Sequence, residues 1–305
     1  MKIFGNQSRN VLVGTHGGSI ANWDSGANKI ISKLNGHLTS CSALQVGSDS
    51  NVVVSGAVDT NVKLWDLRQK ACINTFKAHN QEITCLDISP DSKIIVSGSK
   101  DGTIKFWDTT KQSLLKSIKV SGAGYPVCMQ FNPCDLCIAV GTSNKYVKYW
   151  ELQDFSLVSS SNIENFAPRQ LCFNSSGESC FVAYDDCTKV YLLDDEIKPK
   201  VLDILQKPYR MVMDLQLSSD GNQLYCLDSN GFLGNPGGDP AIAAAQSKTN
   251  ELYLQHIDVS KVNFDPNRAP QFQQRAQIVP PKDPVPKQDG IDLPRKASSS
   301  RGFGQ

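Results

Sequence analysis

The chain has 305 residues, of which 40% are hydrophobic and 20% are charged, and its formal net charge at pH 7 is +1. This composition is typical of a globular protein, and the small net charge argues against general attraction to nucleic acid or to an anionic membrane. No apolar run approaches the roughly 20 residues that a membrane-spanning helix needs, and the first residues become polar too early for a signal peptide.

Ten cysteines occur in the chain. Without a secretory signal, they are expected to be reduced thiols of a cytoplasmic protein. Cys134 and Cys137 have the spacing of a zinc-binding pair, but no second pair follows at a suitable distance. We therefore interpret them as a turn cysteine and a strand cysteine, and we expect neither a metal nor a cofactor.

Four segments of the chain repeat one pattern. They are SIANWD at 19–24, NVKLWD at 61–66, TIKFWD at 103–108 and YVKYWE at 146–151. The tryptophans at 23, 65, 107 and 150 are therefore spaced by 42, 42 and 43 residues. A period near 42 with a Trp-Asp pair closing each unit is the signature of WD40 repeats. The sequence therefore predicts an all-β WD40 propeller, in which four-stranded sheets are arranged radially as blades.

Short Val- and Ile-rich runs between turn residues predict four strands, a to d, in each repeat. The best-defined repeat is blade 3, with strands at Ile83–Ile88, Ile94–Ser97, Thr103–Trp107 and Leu114–Ile118. Blade 1 is predicted at Lys2–Phe4, Val11–Val13, Ser19–Trp23 and Ile30–Leu34. Blade 2 is predicted to run from Gly36 to Phe76, and blade 4 has strands at Val127–Phe131 and Cys137–Val140 and a third ending at Trp150.

The last two predicted blades depart from the pattern. Blade 5 has strands at Leu171–Phe173, Cys180–Ala183 and Val190–Leu192, with Leu192 predicted in the tryptophan place. Blade 6 has strands at Met213–Leu217 and Leu224–Leu227, an insertion at 231–250, and then strands at Leu252–Ile257 and Val259–Phe264. The propeller is thus predicted at 1–264. Residues 265–305 form a Pro-rich basic tail that cannot bury enough apolar surface to fold alone, so we expect it to be disordered or docked on a partner.

Two sets of residues have the composition of a Ser-His-Asp group, and they occur one repeat apart. They are His37, Ser55, Asp59 and Trp65 in blade 2, and His79, Ser97, Asp101 and Trp107 in blade 3. WD40 repeats use these positions for a buried hydrogen-bond chain from tryptophan through serine and histidine to aspartate. Because catalysis needs one such group and the set is duplicated, we interpret both as structural and predict that the protein is not an enzyme.

Several segments resemble the non-catalytic WD40 subunit of katanin, the microtubule-severing ATPase. The resemblance is carried by NVKLWDLRQKAC at 61–72, CLDISPD at 85–91, KYWELQDF at 148–155, and a following blade without tryptophan. It covers about residues 11–264. It implies a regulatory subunit that targets a katanin-type AAA ATPase to tubulin or to microtubule-associated proteins, in the cytoplasm or on the cytoskeleton (microtubules, centrosome, basal body or cilium).

The chain departs from that family in two respects. The family has one further blade at its N-terminus, and it has a C-terminal helical domain that binds the ATPase, which nothing after Asp265 resembles. Either the six visible blades close by packing alone, or a first blade is missing; we favour the missing blade. The role of the propeller can be carried over from the family, and activation of the ATPase through the helical domain cannot.

The sequence is also compatible with two rival functions. The WD-x-R box ending at Arg68 is similar to the element by which substrate receptors dock on cullin-type ubiquitin ligases. A structural axonemal or centriolar propeller protein is the other rival. For the favoured targeting function, we predict that partners bind the face that carries the d–a and b–c loops. Its predicted contact residues are Tyr125, Lys145, Tyr146, Phe166, Arg169, Tyr209 and Arg210.

Overall fold

The computed structural model describes residues 2–4, 10–48, 50–134, 136–185, 187–193, 197, 199–206, 211–217, 223–229 and 252–258. Regular structure within these ranges consists of β-strands, which form six antiparallel sheets. In these same ranges there is no helix long and apolar enough to cross a membrane. The predicted insertion at 231–250, the predicted last strand at 259–264 and the tail at 265–305 lie outside the described residues.

Each sheet contains consecutive strands in chain order, so each repeat forms one blade. Blade 1 comprises β1 (Lys2–Phe4), β2 (Asn10–Gly14), β3 (Ser19–Asp24) and β4 (Lys29–Asn35). Blade 2 comprises β5 (Cys41–Val46), β6 (Val52–Ala57), β7 (Asn61–Asp66) and β8 (Ala71–Lys77). Blade 3 comprises β9 (Ile83–Ile88), β10 (Ile94–Ser99), β11 (Thr103–Asp108) and β12 (Ser113–Lys119).

The remaining blades continue the same order. Blade 4 comprises β13 (Pro126–Phe131), β14 (Cys137–Thr142), β15 (Val147–Glu151) and β16 (Leu157–Ser160). Blade 5 comprises β17 (Gln170–Phe173), β18 (Ser179–Ala183), β19 (Cys187–Leu193) and β20 (Pro199–Gln206). Blade 6 has three described strands, β21 (Met211–Leu217), β22 (Gln223–Ser229) and β23 (Leu252–Asp258). The prediction of an all-β fold built from about six such repeats is confirmed.

The hydrophobic core lies between blades rather than within one of them. The first strands of consecutive blades contact one another from β1 through β21, which places them innermost. Each cluster of buried apolar side chains draws on two neighbouring blades. Between blades 2 and 3, for example, the ring of Phe76 packs against that of Trp107 with centroids 5.1 Å apart. A sheet that is apolar on both faces is stabilised by stacking against its neighbours, as the repeat architecture requires.

Two glycines let neighbouring blades approach closely. A side chain at Gly98 in β10 would place its Cβ 2.7 Å from Pro126 of blade 4, and one at Gly141 in β14 would lie 2.7 Å from Pro168 before blade 5. Such distances are shorter than real Cβ contacts, so glycine is needed where the second strand of one blade meets the entry to the next. The blades are therefore packed at a fixed spacing, which positions the loops above them.

The residue that occupies the tryptophan position of blade 5 is not the predicted one. In blades 3 and 4, Trp107 pairs with Ile95 and Trp150 pairs with Ile138, and each follows a bulge in the third strand. In blade 5 the residue with this register and this bulge is Tyr191, which pairs with Cys180. The assignment of Leu192 was therefore wrong by one residue, because the hairpin between β18 and β19 is one residue shorter than its counterparts.

Candidate functional site

One face of the molecule carries the loops between blades and the hairpins between second and third strands. We call it the upper face. The loops are 36–40, 78–82, 120–125 and 161–169, and the hairpins are 15–18, 58–60, 100–102 and 143–146. The opposite or lower face carries the other turns, including 25–28, 67–70, 109–112 and 152–156. The predicted contact residues from Tyr125 to Arg169 all lie in upper-face segments.

Backbone hydrogen bonds join the upper-face segments to one another. Some connect a hairpin to the loop before its own blade: Val58 N to Ser40 O at 3.0 Å, Lys100 N to Glu82 O at 3.1 Å, and Ser143 N to Tyr125 O at 2.9 Å. Others connect a loop to the hairpin of the preceding blade: His79 N to Thr60 O at 3.1 Å, Val120 N to Gly102 O at 2.8 Å, and Glu164 N to Lys145 O at 3.1 Å. Side chains on this face are therefore presented from a hydrogen-bonded surface.

Below this surface, the polar set of blade 3 forms one continuous chain of hydrogen bonds. The indole N–H of Trp107 donates to Ser97 Oγ at 3.0 Å, and Ser97 Oγ lies 2.8 Å from Nε2 of His79. Nδ1 of His79 lies 3.1 Å from the carboxylate of Asp101, whose Oδ2 also accepts from the backbone N–H of Asn80 at 3.0 Å. The histidine side chain is fully buried. This chain of hydrogen bonds therefore joins strand β11 to the loop above it. The Ser97 hydroxyl within it is buried and is not accessible as a nucleophile.

Blade 2 repeats this arrangement. The indole of Trp65 donates to Ser55 Oγ at 2.8 Å, Ser55 Oγ lies 2.7 Å from Nε2 of His37, and Nδ1 of His37 lies 2.9 Å from Asp59. Oδ2 of Asp59 also accepts from the backbone N–H of Leu38 at 3.0 Å. In both blades the geometry fits an imidazole that donates from Nδ1 and accepts the serine hydroxyl at Nε2.

Burial lowers the pKa of His37 and of His79 below the ordinary value of 6.5. The nearby aspartates raise these pKa values in part, but desolvation is the larger effect. For Asp59 and Asp101, burial alone would raise the pKa, and hydrogen bonds from neighbouring N–H and hydroxyl groups lower it overall. Each His–Asp contact is thus a hydrogen bond from a neutral imidazole near pH 7, rather than an ion pair.

The lowered histidine pKa values predict a loss of stability in mild acid. Below about pH 6.5 the unfolded chain binds protons at His37 and His79 that the folded chain does not, so folding weakens as pH falls. We expect the free energy of unfolding to be lower at about pH 5.5 than at about pH 7.5. Urea unfolding at both pH values measures this. The double variant His37→Gln/His79→Gln should lose much of the pH dependence, and equal stability of the native chain at both pH values would contradict the account.

Blade 5 contains a different polar network at the same place, which the sequence reasoning missed. Tyr191 occupies the tryptophan position, and its hydroxyl donates to Oε1 of Glu164 at 3.0 Å. The backbone N–H of Glu164 bonds Lys145 as that of His79 bonds Thr60, so Glu164 occupies the histidine place. Lys189 donates to the second oxygen of Glu164, and the hydroxyl groups of Tyr184 and Tyr191 lie 3.0 Å apart. The pattern Lys-x-Trp at 63–65, 105–107 and 148–150, continued as Lys-Val-Tyr at 189–191, could have revealed this register.

Three of the predicted contact residues lie together on the upper face of blade 4. The backbone N–H of Tyr125 donates to Ser143 Oγ at 2.9 Å, and the ammonium of Lys148 lies 5.8 Å from the centre of the Tyr146 ring. Lys145, between them, is exposed and has a φ of 71°, in the left-handed region where Gly102 lies in blade 3. A lysine is strained in this conformation, so the surrounding hydrogen bonds must hold it.

Two more predicted contact residues lie in the loop before blade 5. Phe166 is 43% exposed, and its neighbour Ile163 is 64% exposed. Arg169 donates to both carboxylate oxygens of Asp185, at 2.8 and 3.1 Å, and this bidentate pair raises the pKa of the guanidinium. Arg169 therefore already has a carboxylate partner in its own blade, which leaves it less available to contact another protein. Tyr209 and Arg210 lie outside the described residues.

Leu38 and Val58 extend the apolar part of the upper face to blade 2, and the sequence reasoning missed both. Leu38 is 88% exposed and Val58 is 41% exposed. Their backbones are fixed, because Leu38 N donates to Asp59 and Val58 N donates to Ser40. No sequence signal distinguishes an exposed leucine from a buried one at a single loop position.

Arg68 lies on the lower face, in the turn after β7, and it contacts the aspartate of its own Trp-Asp pair. Its guanidinium lies 3.2 Å from Oδ2 of Asp66, and its backbone N–H donates to Oδ1 at 2.7 Å. Asp24 and Asp108 accept backbone N–H groups of their own turns in the same way. The aspartate of the repeat therefore caps the turn between third and fourth strands. Arg68 therefore lies on the opposite face of the propeller from the other predicted contact residues that the structure describes.

The two cysteines of the Cys-x-x-Cys spacing lie in different surroundings. Cys137 is fully buried in β14, whereas Cys134 is exposed and its thiol donates to the backbone oxygen of Ser175 at 3.2 Å. Within the ranges that the structure describes, no group of three or more His, Cys, Asp and Glu side chains is arranged to hold a metal ion.

Comparisons with known proteins agree with this architecture. The model of the WD40 family, "WD domain, G-beta repeat", matches residues 28–66 and 70–108, which end at the Trp-Asp pairs of blades 2 and 3. No curated protein sequence is significantly similar to the chain.

Many solved structures are similar in three dimensions, and two of them illustrate the likeness. One is the crystal structure of the mitotic checkpoint complex, with a TM-score of 0.67 and 16% identity over 73% of this chain and 69% of that chain. The other is the β-propeller domain of Myceliophteria thermophila Cps50 (Swd1), with a TM-score of 0.67 and 14% identity over 74% of this chain and 78% of that chain. At these identities the likeness shows a shared fold.

Proposed function

We propose that this chain, a WD40 β-propeller, is a non-enzymatic scaffold that recruits protein partners through its upper face. WD40 propellers bind proteins and are generally non-catalytic. The observation that carries the proposal is the hydrogen-bonded upper surface with its exposed apolar side chains: Leu38 is 88% exposed, Ile163 64% and Phe166 43%. Loops on a rigid scaffold are where binding sites usually lie, and exposed apolar side chains beside tyrosine and arginine are typical of interfaces.

The finer proposal is that these partners belong to microtubule machinery. It is supported by the resemblance of residues 61–91 and 148–155 to the katanin WD40 subunit. On this proposal the propeller targets a katanin-type AAA ATPase, or another microtubule-associated protein, to tubulin in the cytoplasm or cytoskeleton. The tail at 265–305, which contains seven lysine and arginine residues and four aspartates, adds a salt-sensitive contact to acidic tubulin surfaces.

The ligase alternative rests on Arg68 and predicts a different surface. The lower face presents Arg68 in contact with Asp66, and that carboxylate already accepts the backbone N–H of the same residue. Removing the arginine therefore tests the rival function with little effect on the fold, since the side chain is 69% exposed.

The double variant Lys145→Glu/Tyr146→Ala is expected to lose its partners without losing stability. The reversed charge and the missing ring both lie on the upper face of blade 4, where Lys145 is exposed and Tyr146 is half-buried. Affinity purification of the tagged chain and co-sedimentation with microtubules should show retention reduced by about tenfold or more, because an interface hot spot contributes about 2 kcal/mol. The melting temperature should stay within a few degrees.

Arg68→Ala is the matched control, because it removes one exposed cation from the opposite face. It should retain every partner that the native chain retains. If the double variant keeps its partners and Arg68→Ala loses them, the binding face is the lower one and the ligase alternative is favoured.

A further inference from the structure

Four lysines occupy the same register position in successive blades, and only one of them has a carboxylate partner in the described part of the chain. They are Lys63, Lys105, Lys148 and Lys189, opposite Ser55, Ser97, Val140 and Val182 on the neighbouring strand. In blade 5, Lys189 donates to Glu164. In blades 2 to 4 the ammonium groups donate to neutral oxygens instead: Thr75 Oγ1 at 2.7 Å, the Ala78 carbonyl at 2.7 Å, and the Ser121 hydroxyl. We call Lys63, Lys105 and Lys148 the lysine row.

Lys148 is the clearest example of a lysine in this row whose described partners are neutral. The residue is 6% exposed, and burial lowers the pKa of its ammonium. Within the described residues its contacts are the Ser121 hydroxyl and the Tyr146 ring at 5.8 Å, and neither carries a negative charge. A desolvated cation is costly unless it is paired, so this position favours an incoming anion. Because Ser121 is exposed in the loop above, the flexible lysine stem can redirect its ammonium to a ligand on the upper face.

The exposed side chains near the lysine row include further cations. Lys77 and Lys119, both exposed, end the fourth strands of blades 2 and 3 at the upper face, and Lys145 is exposed on blade 4. Among the upper-face carboxylates of these blades, Glu82 is paired with Lys100. Asp59 and Asp101 keep their negative charges beside neutral histidines, but their side chains are only 5% and 10% exposed. On the lower face, Asp24, Asp66, Asp108 and Glu151 end the third strands. An acidic partner is therefore attracted to the upper face of blades 2 to 4.

We propose that the lysine row binds an acidic segment of a partner protein, whose Asp and Glu side chains supply the carboxylate partners that these three lysines lack among the described residues. The inference rests on the proposed function, and it names the chemistry that the upper face recognises. In blade 5 of the same molecule, Glu164 provides such a carboxylate and forms an ion pair with Lys189. An acidic peptide is favoured over nucleic acid because the chain has a net charge of +1 and the row offers three cations, whereas nucleic-acid binding draws on many phosphate contacts.

The test uses a fluorescent peptide of alternating Glu and Gly, about twelve residues long, which spans about 40 Å when extended. Fluorescence anisotropy with the full chain should show binding, and a Gln/Gly peptide of the same length should bind at least about tenfold more weakly. Raising the NaCl concentration from about 50 to about 300 mM should weaken binding of the Glu peptide several-fold.

Lys105→Met/Lys148→Met keeps the apolar stems and removes two charges, and it should weaken binding of the Glu peptide by at least about tenfold. Its melting temperature should be unchanged or higher, because an unpaired buried cation has been removed. The matched control is Lys93→Met/Lys111→Met on the lower face, where each lysine already lies near an aspartate. This control should bind the Glu peptide as the native chain does.

Three results would overturn the inference: equal affinity for the Glu and Gln peptides, undiminished binding by Lys105→Met/Lys148→Met, or tighter binding of a thymidine oligonucleotide of equal length. The salt dependence of Glu-peptide binding to the native chain tests the inference even if the variant does not fold, because salt-independent binding also contradicts it. If the peptide fails while partner retention still depends on Lys145 and Tyr146, the proposed function stands and only the acidic specificity falls.

Discussion

Replacing His79 with alanine should lower the free energy of unfolding by about 2–4 kcal/mol, with loss of partner binding only as a consequence. The side chain is fully buried between Ser97, at 2.8 Å from Nε2, and Asp101, at 3.1 Å from Nδ1. Its removal leaves both groups without that partner and opens a cavity. Urea unfolding followed by tryptophan fluorescence measures the change, since Trp107 belongs to the same hydrogen-bond chain.

His16→Ala is the control for this prediction, because His16 lies exposed in the first upper-face hairpin. It should change stability by less than about 0.5 kcal/mol. A His79→Ala protein that melts like the native chain but loses its partners would show that this histidine acts in binding, and the structural interpretation of both polar sets would be wrong.

Replacing Asp87 with alanine should destabilise the propeller by about 3 kcal/mol or more, because this buried carboxylate joins three blades. Asp87 lies in β9 of blade 3 and is 3% exposed. One of its oxygens accepts from the side-chain amide of Gln45 in blade 2, and the other accepts from the backbone N–H of Phe131 in blade 4 at 2.7 Å. Without the carboxylate, the buried N–H of Phe131 loses this acceptor.

Gln130→Ala provides a matched comparison at the same register position of blade 4. The Gln130 side chain accepts from the backbone N–H of Phe173 in blade 5 at 3.1 Å, but it carries no charge. We expect a loss of about 1 kcal/mol for this variant, measured by the same unfolding experiment. Equal losses for the two variants would mean that the charged bridge contributes nothing beyond an ordinary hydrogen bond.

Much of the fold follows from the sequence because one period governs it. Tryptophans spaced by 42, 42 and 43 residues fix the register of four blades, and turn residues such as Gly102, with a φ of 79°, mark the hairpins. The period fails where a deletion and a substitution coincide. In blade 5 the hairpin is shorter and tyrosine replaces tryptophan, so counting 42 residues from Trp150 reaches Leu192, whereas the bulge and the strand pairing select Tyr191.

The candidate site was less predictable, because its properties depend on neighbours that are distant in sequence. Loop positions placed Tyr125, Lys145 and Phe166 on one face, but no pattern in the sequence shows that Asp185 engages Arg169 or that Leu38 is 88% exposed. Likewise, Lys148 and Lys189 look identical in the repeat, and they differ because Glu164 reaches one of them across a loop. Exposure and charge balance are set by packing between blades.

The most direct test of recruitment through the upper face is hydrogen–deuterium exchange of the chain with and without a purified partner. We predict slower exchange of backbone amides in the upper-face segments 120–125, 143–146 and 161–169, which contain the exposed Lys145, Ile163 and Phe166. Exchange in the lower-face turns 67–70 and 109–112 should stay unchanged. Protection confined to those lower-face turns, with the upper-face segments exchanging as in the isolated chain, would contradict the account.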